Sequence, residues 1–371
     1  MGLAALLSLG GCASDPARPV IGEAAFVVNW QGSQVVVVDV ANAAVVARAG
    51  PVPAFKGVSA FDARNGAIYV TGYDNTLPPN LVRVETATLR VTATRYDSIN
   101  ARSTVGPLEL YGTYGMAALA DSTGALVVDG RVGSVPGVVK LEGSTYRPVA
   151  FGGPFVVAAD GLATLSPAQY PGGAVLVAAA RDSMGSQVQD YLFVLDPVTL
   201  SPRDSFRFTA PRGGSFSAIG RFLVSTSGSD LYVVADNSIL RFDLLSRQVT
   251  ASAPRPTSGA LCLSHDGSRL FVTDPGDMWD YPGAGIVRSF SAALGPLPSI
   301  DLNGPSPGIS PELNRCALSA DDSVLLVSSG TGSRGPLFGP QRARLYVVSL
   351  SSGAFSIVEL GGWAARDVFV P

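Results

Sequence analysis

The chain has 371 residues, of which 47% are hydrophobic and only 15% are charged, and its formal net charge at pH 7 is −3. Because this charge is small and no run of Lys or Arg is present, the composition argues against a nucleic-acid partner. The length would permit two or three domains, but no Pro- or Ser-rich linker separates balanced halves. One large all-β domain therefore fits the composition.

The N-terminal segment has the features of an export signal. Residues 2–9 are apolar, and small residues directly precede Cys12 in the sequence Leu9-Gly10-Gly11-Cys12. This segment resembles a bacterial lipobox, which implies cleavage before Cys12 and acylation of that cysteine. Ser14 resembles the sorting position that permits export to an outer membrane. The resemblance implies a signal peptide over residues 1–11, a lipidated tether over 12–21 and a folded domain over 22–371.

Acylation of Cys12 would hold the protein at the membrane without a transmembrane helix. The apolar run is too short to span a bilayer, which takes about 20 residues, whereas lipid chains anchor a protein from outside the bilayer. The run lacks the preceding Lys or Arg that is typical of a signal peptide. The alternative is a core strand or an unstructured start. The prediction is a lipid-anchored protein of the cell envelope, on the periplasmic side of the outer membrane.

An apolar triplet or quartet recurs along the chain, each time after a turn and before a second strand-like run. Neighbouring copies lie about 40 to 60 residues apart, the length of one four-stranded blade of a β-propeller. The first copy has no inner strand before it, and residues 364–370 form a last strand without a blade of its own. Pairing that strand inside the first blade predicts a closed, all-β propeller of seven four-stranded blades. The copies are Ala24–Val27, Ala67–Val70, Ala125–Val128, Ala174–Val177, Asp230–Val233, Arg269–Val272 and Val324–Val327.

The turns and strands of these repeats resemble a known family. The tight turn Ser264-His265-Asp266-Gly267 and the strands Tyr69-Val70-Thr71-Gly72 and Phe271-Val272-Thr273-Asp274 resemble the YVTN-type propeller repeat, a lactonase-like and WD40-like family. The resemblance implies the propeller fold. Such propellers occur among lactonases, dehydrogenase-like proteins and non-enzymatic binders, so the fold does not select among these functions. In the sixth repeat the predicted strands are 259–264, 269–274, 284–290 and 297–302.

Two cysteines remain after Cys12, and they lie in corresponding strands of consecutive repeats. Cys262 belongs to the strand Ala260–Leu263 and Cys316 to the strand Arg315–Leu318. Aligning the strands offsets the cysteines by one residue, so their side chains point to opposite faces of their blades. Because neighbouring blades meet through opposite faces, the pair can form a disulfide in an oxidising periplasm. The alternative is two buried free thiols that pack as small apolar side chains.

Loop length differs between the two faces of the predicted propeller. With the strands of a blade named a to d from the axis outward, the a–b and c–d turns share one face, the turn face. The b–c and d–a connections share the other, the loop face, and several of them are long. Long loops on a rigid scaffold are common binding sites, so the sequence predicts binding on the loop face. The long connections are residues 73–79, 98–110, 130–136, 181–189, 275–283, 303–312 and 330–341.

The loop of residues 274–281 carries the densest set of candidate binding side chains. Its three aspartates lie beside two aromatic residues, which predicts a site for Ca²⁺, a cationic group or a sugar. The spacing is not that of an EF-hand, and the alternative is a solvated turn anchored by Trp279. Arginines on the same face can instead hold an anionic ligand through bidentate bonds. The predicted ligand-binding residues are Asp274, Asp277, Trp279, Asp280, Tyr281, Arg181, Asp182, Tyr73 and Arg342, and further arginines of this face are Arg334 and Arg344.

The sequence offers few residues for catalysis. His265 is the only histidine and lies in an a–b turn, on the turn face, so histidine-based catalysis and metal binding lack their usual residue. Neither a Cys-x-x-Cys-His haem signature nor a phosphate-binding Gly-rich loop is present. No catalytic residue, resident metal or cofactor is predicted; the three aspartates of the 274–281 loop are the only metal candidates.

The sequence therefore predicts an envelope-anchored, non-enzymatic binding or scaffold propeller. It meets the membrane through lipidated Cys12, and its partner is an envelope protein or a small ligand. The alternative is a lactonase-like or other hydrolase whose carboxylates meet on the loop face. The candidate carboxylates are Asp182, Asp190, Asp274 and Asp277.

Overall fold

The computed structural model describes most of the chain, as strands joined by turns and one short helix. Among the described residues, no helix is long and apolar enough to cross a membrane. The described residues are 23–29, 33–52, 59–74, 77–110, 115–119, 123–181, 189–208, 219–235, 238–254, 260–273, 285–303, 313–330, 342–362 and 365–371.

The described elements follow one another in the order expected for successive blades. The strands are β1 (Ala24–Asn29), β2 (Gln34–Asp39), β3 (Ala44–Ala49), β4 (Ser59–Asp62), β5 (Ala67–Asp74), β6 (Leu77–Glu85), β7 (Val91–Arg95), β8 (Leu108–Leu110), β9 (Met116–Ala118), β10 (Leu126–Val132), β11 (Val135–Leu141), β12 (Pro148–Gly152), β13 (Val156–Leu165), β14 (Ala174–Arg181), β15 (Gln189–Leu195), β16 (Pro202–Phe208), β17 (Ile219–Val224), β18 (Asp230–Ala235), β19 (Ser238–Asp243), β20 (Gln248–Pro254), β21 (Leu261–Leu263), β22 (Arg269–Thr273), β23 (Ile286–Ser291), β24 (Pro296–Asp301), β25 (Leu313–Leu318), β26 (Val324–Ser329), β27 (Arg344–Ser349), β28 (Phe355–Glu359) and β29 (Ala365–Phe369), and the helix α1 (Tyr96–Asn100) lies between β7 and β8.

These strands form seven antiparallel sheets, each of them one blade, so the predicted seven-bladed β-propeller is confirmed. Blade 1 contains β29, β1, β2 and β3 from the inside outward, and blade 2 contains β4 to β7. In blade 3 the inner position is shared by β8 and β9, which both pair with β10. Blades 4 to 7 take four consecutive strands each, from β13 to β28.

The C-terminal strand closes the ring, as the sequence predicts. β29 pairs antiparallel with β1, with Phe369 opposite Phe26 and Val368 opposite Val27. Blade 1 is thereby built from both ends of the folded domain, and the inner edge of β1 is covered. The Asn29 side-chain amide donates a hydrogen bond to the Gly361 carbonyl, just before β29. This bond helps to fix the position of the closing strand.

The recurring apolar quartet is the second strand of every blade. Alternate residues of a strand point to opposite faces of the sheet, and both faces of each blade are covered by a neighbouring blade. Tyr69 therefore packs in one cluster with Leu126 of blade 3, and Val127 in the next cluster with Val175 of blade 4. Full burial of a Val, Leu or Phe side chain contributes about 1.5–3 kcal/mol. The quartets are consequently a main source of stability between the blades.

Two predicted loops are mostly strand. Pairing of β10 with β11 continues as far as Val132 opposite Val135. The b–c connection of blade 3 is therefore a two-residue turn rather than a loop over 130–136. Gly133 adopts a φ of +60° there, which glycine tolerates and which a tight hairpin requires. Pairing of β5 with β6 likewise reaches Asp74 opposite Leu77. The glycine and proline residues that predicted loops therefore lie in extended hairpins of blades 2 and 3.

The c–d turns of blades 1, 4 and 5 share one capping device. A carboxylate at the end of strand c accepts backbone N–H groups from the turn, as Asp196 does from Val198 and Thr199, both at 2.8 Å. These hydrogen bonds, above all the one from Thr199, lower the pKa of Asp196 to about 2. Each turn ends with a residue of positive φ; these residues are Ala43, Leu89, Tyr146, Leu200, Arg247, Leu294 and Gly353.

Cys262 and Cys316 form a disulfide between blades 6 and 7, with Cα atoms 5.8 Å apart. Cys262 lies in β21 and Cys316 in β25, the inner strands of adjacent blades. The alternative of two free thiols therefore does not apply to this structure.

Candidate functional site

Most of the predicted binding residues lie outside the described part of the chain. This holds for the whole 274–281 loop, with Asp274, Asp277, Trp279, Asp280 and Tyr281, and for Asp182 and the lipidation candidate Cys12. Tyr73 and Arg181 lie near the loop-face ends of β5 and β14. Arg342 is exposed just before β27. The proposed convergence of these side chains on the loop face remains a prediction.

Two residues considered for binding or catalysis have structural partners instead. The Arg344 Nε lies 2.9 Å from Glu359 Oε1, an ion pair between the neighbouring strands β27 and β28. His265 Nδ1 lies 2.7 Å from Asp322 Oδ1, which also accepts the His265 backbone N–H. Because Asp322 belongs to the a–b turn of blade 7, this contact links blades 6 and 7. His265 thus has the turn role that the sequence predicts for it.

The threonine of the YVTN-like strands accepts a backbone hydrogen bond at the loop-face end of strand b. Thr273 is fully buried, and its Oγ1 accepts the Ala260 backbone N–H at 2.8 Å. Asp129 accepts the Gly115 N–H at 3.1 Å in blade 3, and Ser328 accepts the Arg315 N–H at 3.1 Å in blade 7. A side-chain oxygen at this position therefore satisfies a backbone donor at the start of the inner strand.

A charged cluster links the inner strands of blades 7, 1 and 2. Asp367 of β29 is 6% exposed, and its Oδ1 accepts a hydrogen bond from Arg315 Nε at 2.9 Å. Its Oδ2 accepts a hydrogen bond from the Ser59 hydroxyl of β4. The Asp367 carboxylate is thus held by side chains of both neighbouring blades at the point where the ring closes.

A cleft of about 750 Å³ lies between blades 2 and 3, on the turn-face side. The face of blade 2 that points to blade 3 forms one wall. Strand register places Tyr69 of β5 opposite Arg83 of β6, and Arg83 opposite Thr92 of β7. Turns of blade 3 form the other wall. The lining residues are Asn65, Tyr69, Arg83, Glu85, Arg90, Thr92, Thr94, Arg102, Thr123, Gly124, Gly143, Ser144, Thr145 and Tyr146.

A hydrogen-bonded network fixes the side chains at the back of this cleft. The Arg83 guanidinium pairs with Glu85, which also accepts a hydrogen bond from the Thr88 hydroxyl at 2.8 Å. The Thr88 hydroxyl and then Arg83 lower the pKa of Glu85. Partial burial alone would lower the pKa of Arg83, but hydrogen bonds to Glu85 and Tyr69 outweigh it and raise the pKa. Both groups are therefore charged at neutral pH.

Tyr146 is the unusual member of its turn position. Its φ is +52°, in the left-handed region where a bulky residue is uncommon. Its ring meets that of Tyr69 edge to face, with centroids 6.3 Å apart. Burial, and after it the Tyr69 side chain, raises the pKa of Tyr146 to about 12. Blades 4 and 6 have Leu200 and Leu294 at this position, and both are buried, whereas Tyr146 lines an open cleft.

The sequence contains signals for this cleft that motif analysis does not use. Tyr146 is the only tyrosine at its turn position, where most other blades have an aliphatic residue, and it faces Tyr69 and Arg83 of blade 2. The repeat was a guide to what the copies share. A comparison of where the copies differ, blade by blade, would have pointed to blades 2 and 3.

No protein-family model matches this chain, and no curated protein matches it either. Solved structures do resemble it. A protein from Lactobacillus plantarum has a TM-score of 0.61 and 13% identity, with 94% of this chain and 99% of that chain covered. A structure described as a putative 6-phosphogluconolactonase from Bacteroides uniformis has a TM-score of 0.58 and 13% identity, with the same coverage, 94% and 99%.

A third similar structure is the dihydro-heme d1 dehydrogenase NirN in complex with DHE. It has a TM-score of 0.53 and 14% identity, and the likeness covers 96% of this chain and 78% of that chain. The likeness shows the fold. At such identities the resemblance reaches the seven-bladed scaffold and not the side chains that bind or react. One of these similar structures is described as a lactonase and another as a dehydrogenase, so scaffolds of this kind carry different chemistries.

Proposed function

We propose that this chain is an envelope-anchored, non-enzymatic binding or scaffold propeller whose partner contacts the loop face. The partner is an envelope protein or a small ligand. The anchor is acylated Cys12, and the segment up to residue 21 serves as the tether.

The observation that carries the non-enzymatic assignment is the use of the described carboxylates. Asp367, which links the inner strands, is held by Arg315 and Ser59. Hydrogen bonds in the turns, first from Ser264 and Ser323 respectively, lower the pKa values of Asp266 and Asp321 to about 2. A carboxyl group that acts as a general acid near neutral pH needs a raised pKa instead. These three carboxylates therefore support a role in stability rather than in proton transfer.

The two faces of the propeller differ in how their connections are held, and this difference supports the loop face as the partner surface. On the turn face, backbone hydrogen bonds join the two turns of one blade, for example Ala292 N–H to Ser268 O at 2.9 Å and Leu350 N–H to Ser323 O at 2.9 Å. Side chains then join turns of neighbouring blades. Long connections, among them residues 98–110, 275–283 and 330–341, belong to the opposite face. A rigid ring that carries variable loops on one face is a typical binding architecture.

The partner surface is tested by photo-cross-linking in intact cells. A photoreactive residue at Trp279 or Arg342 should give discrete cross-linked species. The same residue at Leu245, an exposed position in a c–d turn, is the matched control and should give few. Equal cross-linking from both faces contradicts the loop-face assignment. Hydrolysis of a lactone panel that is abolished by Asp274→Asn or Asp277→Asn would overturn the non-enzymatic assignment in favour of the hydrolase.

The anchor is tested separately with a labelled fatty acid. The Cys12→Ala chain should lose the label and leave the membrane fraction. The Cys262→Ala/Cys316→Ala chain keeps Cys12 and should retain the label, which excludes labelling of the other cysteines. Unchanged labelling of Cys12→Ala would refute the anchor.

A further inference from the structure

We propose that the cleft between blades 2 and 3 is a second binding site, on the turn-face side, and that it binds an acidic oligosaccharide. Anionic groups on the sugar chain, carboxylate or sulfate, would meet Arg90 and Arg102, and its hydroxyl groups would meet the side-chain hydroxyls of the cleft. Of the lining residues only Arg102 belongs to a loop-face connection, residues 98–110, and the site does not include the 274–281 loop.

The cleft exists because contacts that bridge other blades are replaced at this one. In blade 3, Lys140 Nζ donates to the Pro197 carbonyl in the c–d turn of blade 4 at 2.8 Å. In blade 5, the Tyr232 hydroxyl donates to the Ala292 carbonyl in the c–d turn of blade 6 at 3.0 Å. Strand register makes Arg83 the counterpart of Lys140, and Tyr69 the counterpart of Tyr232.

In blade 2 these two counterparts make different contacts. Arg83 pairs with Glu85 of its own strand, and Tyr69 meets the Tyr146 ring rather than a turn carbonyl. Gly143, the counterpart of Pro197, packs so closely on the turn before β10 that a Cβ would overlap the Thr123 carbonyl oxygen. The space that a lysine or tyrosine fills elsewhere is thereby left open. Its volume of about 750 Å³ falls within the range of roughly 300–1,000 Å³ typical of ligand sites.

The charges of the cleft select an anion. Its described lining contains three arginines and one glutamate, and the glutamate is already paired with Arg83. Arg90 and Arg102 are exposed, and both lie at the cleft. Arginine binds carboxylate and sulfate groups through two parallel hydrogen bonds. The excess positive charge therefore lies where a bound ligand can reach it.

The remaining lining selects a sugar over an apolar ligand. Among the described residues no aliphatic side chain lines the cleft; apart from two tyrosines its described lining consists of hydroxyl, amide and charged groups and of glycine. Thr92 and Thr94 follow each other along one face of β7, and Ser144 and Thr145 lie across from them. Such hydroxyls exchange hydrogen bonds with the hydroxyls of a sugar, and the Tyr146 ring offers an apolar surface to a sugar ring. Two arginines on different segments suit a chain with more than one anionic group.

The test is calorimetric titration of the full chain with matched probes. A galacturonic acid trimer and a sulfated galactose trimer supply the carboxylate and sulfate forms of the ligand, and their relative affinities identify the preferred anion. Maltotriose is the neutral probe, and triglutamate carries the same charge without a sugar. At least one acidic trimer should bind at least tenfold more tightly than maltotriose and triglutamate, and added salt should weaken its binding.

Substitutions locate the site. Arg90→Gln together with Arg102→Gln should weaken binding of the acidic trimer at least tenfold, because each removes a charge-assisted hydrogen bond. Arg95→Gln is the matched control: Arg95 also lies on β7 but is paired with Asp97 outside the cleft, so affinity should not change. Tyr146→Leu introduces the residue that blades 4 and 6 tolerate at this turn position. It should weaken binding several-fold while leaving the urea unfolding curve in place.

Other outcomes contradict the proposal. Equal binding of maltotriose removes the anion requirement, tighter binding of triglutamate identifies an acidic peptide site, and absence of binding by all four probes refutes the site. An Arg90→Gln/Arg102→Gln chain with unchanged affinity would place binding elsewhere. Trp279→Ala, which tests the loop face, should leave the affinity for the trimer intact, so the two proposals fail or succeed separately.

Discussion

The stability of the closed ring should depend on Asp367 more than on any exposed ion pair of the blades. Asp367 receives hydrogen bonds from Arg315 of blade 7 and Ser59 of blade 2, and the side chains of Asp367 and Arg315 are 9% and 19% exposed. Complete loss of one partner of a fully buried pair costs about 3–5 kcal/mol. Asp367→Asn keeps the shape and one acceptor but removes the negative charge that Arg315 contacts through its Nε. We expect the free energy of unfolding to fall by about 2–3 kcal/mol.

The measurement is urea unfolding, compared with a matched variant. Glu359→Gln breaks the pair with Arg344 in the outer strands of blade 7, where the two side chains are 45% and 39% exposed. It should cost less than about 1 kcal/mol, because exposed pairs contribute little. Hydrogen exchange should also accelerate in β29 in the Asp367→Asn chain. Equal losses for the two variants, or unchanged exchange in β29, would refute the role of Asp367 in ring closure.

Three further predictions follow from the described contacts. The Cys262→Ala/Cys316→Ala chain should lose about 4 kcal/mol of stability in urea unfolding, because the disulfide closes a loop across a sequence separation of 54 residues; a loss below about 1 kcal/mol would contradict this. Thr273→Val should cost about 1–3 kcal/mol, since the buried Ala260 N–H loses its acceptor, and Thr273→Ser should restore most of it. The pKa values of Asp196, Asp266 and Asp321 are lowered to about 2 in the folded protein, so the stability that these carboxylates contribute is present above the unfolded pKa of about 3.9 and is lost as the pH falls through 2. Urea midpoints measured from pH 5 to pH 2 should therefore fall mainly below pH 4. An Asp321→Asn chain should show a shallower fall.

The fold could be predicted from the sequence because every blade repeats the same physical requirement. Strand b is covered on both faces by neighbouring blades, so Leu176 and Val177 are both apolar although they point in opposite directions. Such a run, repeated with a turn before it, is diagnostic. The closure of the ring could also be predicted, because no inner strand precedes β1 in the sequence and β29 follows the last complete blade.

Features that depend on one particular blade could not be predicted in this way. β10 and β11 extend through Gly130 and Gly137, which in a sequence indicate loops; here a Cβ at Gly137 would overlap the Gly152 carbonyl oxygen of the next strand. The helix α1 has five residues and no side-chain cap at Arg95, so neither length nor capping reveals it. Tertiary packing on Tyr96 and Ile99, both buried, determines it instead.

The cleft between blades 2 and 3 could not be predicted from the repeat pattern. Whether a gap between blades is bridged depends on a residue in one blade and a turn of the next, for example Lys140 and the Pro197 turn, 57 positions apart. A repeat pattern does not contain such pairs. It contains only what all blades share, which is the apolar core and the tight turns. Function in a propeller therefore lies in the departures from the repeat. In this chain two kinds of departure occur: long loops on one face, and an open cleft between blades 2 and 3 on the side of the other. Because the cleft shares only Arg102 with the long connections, the two features can be mutated separately.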